Sequence, residues 1–192
     1  MRLPFNGLSL MDYAINTSLV ISNVALQKKD RAGLITFSNK IETVLKAENK
    51  TLQLKRILEK LYNEEESTQE ANFELLYKMM KSVVRTRSLL ILFTNLESRH
   101  SLERIKPILK RLASFHLLLV VFFENTELAQ FGAASAEDVT DAYLQSAALR
   151  MIDEKKYVTQ ELKQHGVHTV FTAPEDLSIN TLNKYLEFKS RG

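Results

Sequence analysis

Three short apolar runs of this sequence each end in hydroxyl, amide or carboxylate side chains. The polar residues that follow the runs are Ser38 and Asn39; Thr94, Asn95 and Glu97; and Glu124, Asn125, Thr126 and Glu127. Oxygen ligands of these kinds suit Mg²⁺ or Ca²⁺. The same residue types also cap helices and form turns after strands. The pattern therefore leaves two interpretations open, a cation-binding edge and ordinary capping.

Other catalytic patterns are missing from the sequence. The five glycines form no phosphate-binding loop, no serine lies in a Gly-x-Ser-x-Gly turn, and no histidine and carboxylate have zinc-site spacing. His116 and His168 stand at the beginning of apolar runs, the opposite end from the usual ligand crevice of an α/β sheet. One enzymatic alternative remains, a metal-assisted hydrolase that would use Asn95, Glu97, Ser38 and Glu124.

Composition narrows the classes of partner and compartment. The 192 residues carry 26 basic and 23 acidic side chains, and the basic ones are scattered, so we expect no nucleic-acid partner. The absence of cysteine fits a reducing compartment. The most apolar run, Leu117–Phe123, is far shorter than the roughly 20 residues of a membrane-spanning helix. We therefore expect a cytoplasmic protein without a membrane span.

The apolar runs must be strands for their polar ends to meet. The candidates are Gly33–Phe37, Ser88–Thr94, His116–Phe123 and Val167–Phe171, with Ile41–Leu45 as an edge strand beside the first. Continuous hydrophobicity indicates strands buried on both faces, as in parallel sheets. Gly33 is interpreted as a position where another backbone comes close.

Helical segments separate these strands. They are predicted from Ser9 to Lys28, from Thr51, over 73–84, from Ser101 with Pro107 inside, over 136–164 with Ser135 as cap, and from Ser178. Alternation of strand and helix predicts an α/β fold: a Rossmann-like three-layer sandwich, with a mostly parallel central sheet, one antiparallel edge strand and helices on both faces. No linker marks a boundary, so a single domain over 1–192 is expected.

Several segments resemble von Willebrand factor A-like domains. Asp30–Ser38 is similar to the second-strand signature of that family, and Ser88–Leu96 is similar to its fourth strand, which commonly ends in Thr-Asp. Together with Leu10–Asn16, Arg87–Leu96 and the ending Leu182–Gly192, they resemble a bacterial family of uncharacterised A-like proteins. That family is often found beside MoxR-type AAA+ ATPases.

The resemblance implies a metal-ion-dependent adhesion site on top of the sheet, but this sequence departs from its motif. No Asp-x-Ser-x-Ser occurs near the start, and Asn95 stands where the family has aspartate. Ser67 and Thr68 are the candidates for the middle-loop ligand, with Glu70 as an alternative. Because fewer anionic ligands weaken cation binding, Asn95 and Thr68 are predicted to bind Mg²⁺ weakly at most, in a degenerate site without a tightly bound cofactor.

The resemblance also implies that Met1 lies just after the family's first strand, so we expect an N-terminally truncated domain whose full-length parent has a membrane anchor. The leading hypothesis is a non-catalytic protein-interaction module, a partner or adaptor of a MoxR-type AAA+ ATPase. Its partner-binding residues would be Ser38, Asn39, Asn95, Glu97, Ser67 and Thr68. The alternatives are the metal-assisted hydrolase and an inert remnant of a larger domain.

Overall fold

The computed structural model describes residues 4–5, 7–64, 69–95, 98–134 and 138–191. Its strands are β1 (Pro4–Phe5), β2 (Leu8–Ser9), β3 (Ala32–Phe37), β4 (Ile41–Glu48), β5 (Leu89–Phe93), β6 (Leu117–Phe123) and β7 (His168–Thr172). Its α-helices are α1 (Leu10–Gln27), α2 (Gln53–Tyr62), α3 (Phe73–Val83), α4 (Arg99–Phe115), α5 (Thr126–Ala133), α6 (Val139–Gln164) and α7 (Leu177–Arg191). A 3₁₀ turn over Pro174–Asp176 precedes α7.

The chain forms two compact units. The first consists of Met1–Ser88 together with Glu175–Gly192, and the second consists of Leu89–Pro174. Each unit has its own hydrogen-bonded strands and its own helices. The interpretation of 1–192 as a single domain stays a prediction.

The first unit is built around the antiparallel hairpin of β3 and β4. The predicted pairing of these two segments is confirmed, since Thr36 lies opposite Thr43 and Phe37 opposite Ile41. A buried cluster of Ala32, Ile57 and Leu61 joins the hairpin to α2. The half-buried residues packed against this cluster are Ile15, Leu19, Leu26, Leu34 and Leu45. This cluster therefore packs α1, α2 and the hairpin together.

Helix α1 begins where the sequence predicts. The hydroxyl of Ser9 accepts a hydrogen bond from the Asp12 backbone N–H, and the Asp12 carboxylate accepts one from the Ser9 backbone N–H, which completes a capping box. Helix α7 packs against α1, with a hydrogen bond of 2.8 Å between the Thr17 and Ser178 hydroxyls. These contacts fix both helices within the first unit.

The second unit contains a parallel three-stranded sheet in the order β5-β6-β7. Phe93 pairs with Val121, and Phe123 pairs with Thr172, so the strands end at a common edge. Every residue over 118–123 is buried. The prediction of parallel strands from continuous apolar runs is therefore confirmed for this sheet, and α4 and α6 pack on β6 and β7.

Several expectations differ from the structure. In the described residues, β3 and β4 form a sheet of their own instead of the edge of one larger sheet. Helix α4 begins at Arg99 instead of Ser101, because Ser98 accepts from the Ser101 backbone N–H and caps the helix. Helix α6 begins at Val139 with Asp138 as its cap, whereas the expected cap Ser135 lies outside the described residues.

Candidate functional site

Ser38 and Asn39 lie directly after β3 in the first unit. Ser38 is buried, and its hydroxyl donates to Glu42 Oε1 at 2.9 Å and to Asn39 Oδ1 at 3.1 Å. Its backbone N–H donates to the Lys40 carbonyl, and its carbonyl accepts from the Asn72 backbone N–H at 2.7 Å. Asn39 itself is exposed. Ser38 therefore holds the hairpin turn together, and Asn39 remains accessible to solvent.

Asn95 lies two residues after β5 in the second unit, and a lysine contacts it. The Lys155 ammonium donates to Asn95 Oδ1 at 3.1 Å and to the Phe123 carbonyl at 3.4 Å. Phe123 is the last residue of β6, the strand that pairs with β5. A positive charge from α6 therefore lies against the polar ends of two adjacent parallel strands.

This arrangement does not fit a divalent cation at Asn95. The two oxygen atoms in question are neutral, and an ammonium group already lies within hydrogen-bonding distance of both. A second cation at the same oxygens would be repelled by the ammonium charge. Among the described residues, no group of three or more histidine, aspartate or glutamate side chains is arranged to hold a metal ion.

Of the remaining predicted site residues, Ser67, Thr68 and Glu97 lie outside the described residues. Glu124 follows β6, and its backbone N–H donates to the Thr172 carbonyl at 2.8 Å. Because Ser38 belongs to one compact unit and Asn95 to the other, the idea that these two residues share one site stays a prediction.

Ordinary capping explains part of the polar pattern. Asn125 Oδ1 accepts from the Leu128 backbone N–H at 2.9 Å and caps α5, a short helix that the sequence analysis did not anticipate. The capping interpretation, left open above, is therefore confirmed for Asn125. It does not account for Asn95, whose amide oxygen accepts from a lysine instead.

Ion pairs also join α4 to α6, the helix that carries Lys155. Arg99 Nε lies 3.4 Å from Glu154 Oε1, and seven residues further along both helices the Lys106 ammonium contacts Glu161. The Arg99 backbone N–H also donates to Glu154, so this carboxylate lies at the positive end of α4. Equal spacing in the same direction means that the two helices run parallel here.

The electrostatics of the second pair follow from its hydrogen bond. The Lys106 ammonium lowers the pKa of Glu161 below its ordinary value, and Glu161 in turn raises the pKa of Lys106. His165 Nε2 lies 3.2 Å from the same Glu161 oxygen. Lys106 and His165 thus both contact Glu161, and this carboxylate links α4 to the end of α6.

Helix α6 has an exposed apolar surface that was not predicted from the sequence. Val139, Tyr143, Ala147 and Met151 follow one another at intervals of four residues and therefore lie along one face of the helix. Val139 is 87% exposed, Tyr143 75% and Met151 47%. We call these four residues the α6 stripe. The i, i+4 spacing is visible in the sequence, but the same spacing is typical of the side of a helix that packs against a core, so it does not predict exposure.

No family model matches this chain, and a search of curated proteins finds no match either.

Proposed function

We propose that this protein is a non-catalytic protein-interaction module and that the α6 stripe is part of its binding surface. The single observation that carries the proposal is the exposure of Val139, Tyr143 and Met151 on one helical face. Scattered apolar residues are normal on protein surfaces, but contiguous ones mark interaction sites. An exposed tyrosine suits such a site because it contributes a large contact area with few rotatable bonds.

The partner that we propose is a MoxR-type AAA+ ATPase, on the strength of the resemblance to von Willebrand factor A-like proteins. We also propose that the chain folds as a Rossmann-like three-layer sandwich. The parallel strands β5, β6 and β7, separated by helices along the chain, support this fold.

The degenerate adhesion site would bind Mg²⁺ weakly at most. The cytoplasm is the proposed compartment because the chain has no cysteine. None of the described helices is both long and apolar enough to span a bilayer.

A binding measurement with two matched variants tests this function. The purified chain should bind a purified MoxR-type ATPase from the same organism in isothermal titration calorimetry. Replacing Tyr143 by serine should weaken binding about tenfold, since truncating a central interface aromatic typically costs more than 1 kcal/mol. Phe115→Ser is the control, because Phe115 is also an exposed aromatic of the second unit, 65% exposed, and lies outside the stripe.

Two results would count against the proposal. Absence of binding by the unmodified chain would remove the ATPase as the partner. Equal loss of binding in Tyr143→Ser and Phe115→Ser would remove the α6 stripe as the surface, because the control has the same chemistry elsewhere. Circular dichroism of both variants would establish that each is folded.

A further inference from the structure

Lys155 interrupts the buried face of α6. The positions that share this face, at intervals of three and four residues, are Ala148, Ile152, Lys155, Thr159 and Leu162. Ala148, Thr159 and Leu162 are buried, and Ile152 and Lys155 are half-buried. A lysine in such a stripe buries its methylene stem, and its ammonium must find acceptors because an unpaired buried charge is costly.

Two acceptors of the ammonium lie at the ends of two neighbouring strands. Asn95 Oδ1 belongs to the segment after β5, and the Phe123 carbonyl ends β6. The two strands pair in parallel up to Phe93 and Val121, after which the Thr94 backbone N–H still donates to the Val121 carbonyl at 3.3 Å. Lys155 thus bridges two chain segments at the point where their ladder ends.

A bound divalent cation would make the same kind of contact, because it too gathers amide and carbonyl oxygens from several segments. Here the oxygens are neutral and face a positive side chain, so a divalent ion and the Lys155 ammonium exclude each other. We propose that the Lys155 ammonium is the resident cation of this site and holds the carboxyl ends of β5 and β6 together. This inference rests on the degenerate site of the proposed function, but it does not depend on which partner binds.

Thermal unfolding of the full chain tests the inference. The unmodified chain should unfold at the same temperature in millimolar MgCl₂ and in EDTA, because the ammonium already occupies the oxygens. Lys155→Met keeps a flexible apolar stem and removes the charge, and it should lower the unfolding temperature by about 5 °C for a protein of this size. Lys156→Met is the control, since Lys156 is the exposed neighbour on the same helix.

A double-mutant cycle separates the bridge from general effects of the substitution. Lys155→Met and Asn95→Ala each remove one end of the same hydrogen bond, so their combined shift should be smaller than the sum of the single shifts. Additive shifts would overturn the inference. Equal unfolding temperatures for Lys155→Met and Lys156→Met would overturn it too. A clear rise in the unfolding temperature of the unmodified chain with MgCl₂ would also overturn it.

If Lys155→Met does not fold, Lys155→Arg and Asn95→Ala supply the measurement. Arginine keeps the positive charge and should retain most of the stability, whereas Asn95→Ala should lose part of it. An arginine variant as unstable as Asn95→Ala would contradict the role of the charge. All these readouts concern unfolding, so their failure can be told apart from failure to bind the ATPase.

Discussion

Three of the polar side chains that follow the apolar runs have a hydrogen-bond partner within their own unit. Ser38 donates to Glu42, Asn95 accepts from Lys155, and Asn125 caps α5. Their types are compatible both with cation ligands and with caps, since both roles need an oxygen after the end of a strand. What decides between the roles is the residue that faces each oxygen. For Asn95 that residue lies 60 positions away in the sequence.

A buried histidine in the second unit leads us to expect sensitivity to acid. His116, between α4 and β6, is 8% exposed, and its Nδ1 has no hydrogen-bond partner in the described part of the chain. Burial lowers the pKa of His116 below its ordinary value of 6.5. As the pH falls through about 6.5, the unfolded chain takes up a proton that the folded chain refuses, so the free energy of unfolding decreases.

We therefore expect the unfolding temperature to fall between about pH 7 and pH 5, and His116→Gln to flatten this dependence. The slope due to one such group is at most about 1.4 kcal/mol per pH unit. His100→Gln is the control, because His100 is exposed on α4. Identical pH profiles for His116→Gln and the unmodified chain, measured by calorimetry, would show that another group is responsible.

At the scale of elements, the interpretation of Gly33 can be tested directly. A Cβ at this position would lie 2.7 Å from the Ala47 backbone nitrogen and 2.8 Å from the Leu45 carbonyl oxygen, both in the paired strand β4. The register also shifts between Ala32 and Leu34. The sequence-based expectation of a close backbone approach is thus confirmed, and the irregular pairing surrounds the glycine.

Gly33→Ala should destabilise the hairpin by about 2 kcal/mol, because backbone atoms cannot move aside as a side chain can. Gly132→Ala in α5 is the matched control, since its Cβ would lie 3.0 Å from the Leu149 side chain, whereas the nearest backbone atom, the Leu149 nitrogen, is 3.8 Å away. Chemical denaturation of both variants measures the difference. A Gly33→Ala chain as stable as the control would mean that the two strands separate easily at this point.

Most strands and helices were predictable because their signals are local. Continuous apolar runs predicted β5 and β6, and Ser9 predicted the start of α1. Helix α5 was missed because eight residues with an internal glycine carry little periodicity. The start of α4 was placed at Ser101 because two serines stand three residues apart, and only the geometry shows that Ser98 accepts from Ser101.

At the scale of the whole molecule, the sequence pattern did not reveal how strands are grouped. Alternating strands and helices predicted one sheet, whereas β3 and β4 form one sheet and β5, β6 and β7 form another in the described residues. Strand pairing depends on contacts between distant segments, which local hydrophobicity does not encode. For the same reason the contacts of Lys155 with Asn95 and Phe123 could not be predicted, although a lysine among the apolar positions of α6 can be seen in the sequence.

Exposure has the same dependence on distant contacts. The spacing of Val139, Tyr143 and Met151 predicts an apolar helical face, yet only the packing around α6 shows that this face meets solvent. The Gly132 backbone and the Leu149 side chain bring α5 against a different side of the same helix. The contact with α5 therefore leaves Val139, Tyr143 and Met151 of the α6 stripe exposed.

Site-specific photo-crosslinking tests the central claim, binding through the α6 stripe, most directly. A photo-reactive amino acid would replace Tyr143 in one chain and Phe115 in another, and each would be mixed with the purified MoxR-type ATPase and irradiated. We expect a crosslinked product from position 143 and none from position 115. Equal crosslinking from both positions, or crosslinking from position 115 alone, would contradict the assignment of the α6 stripe as the binding surface.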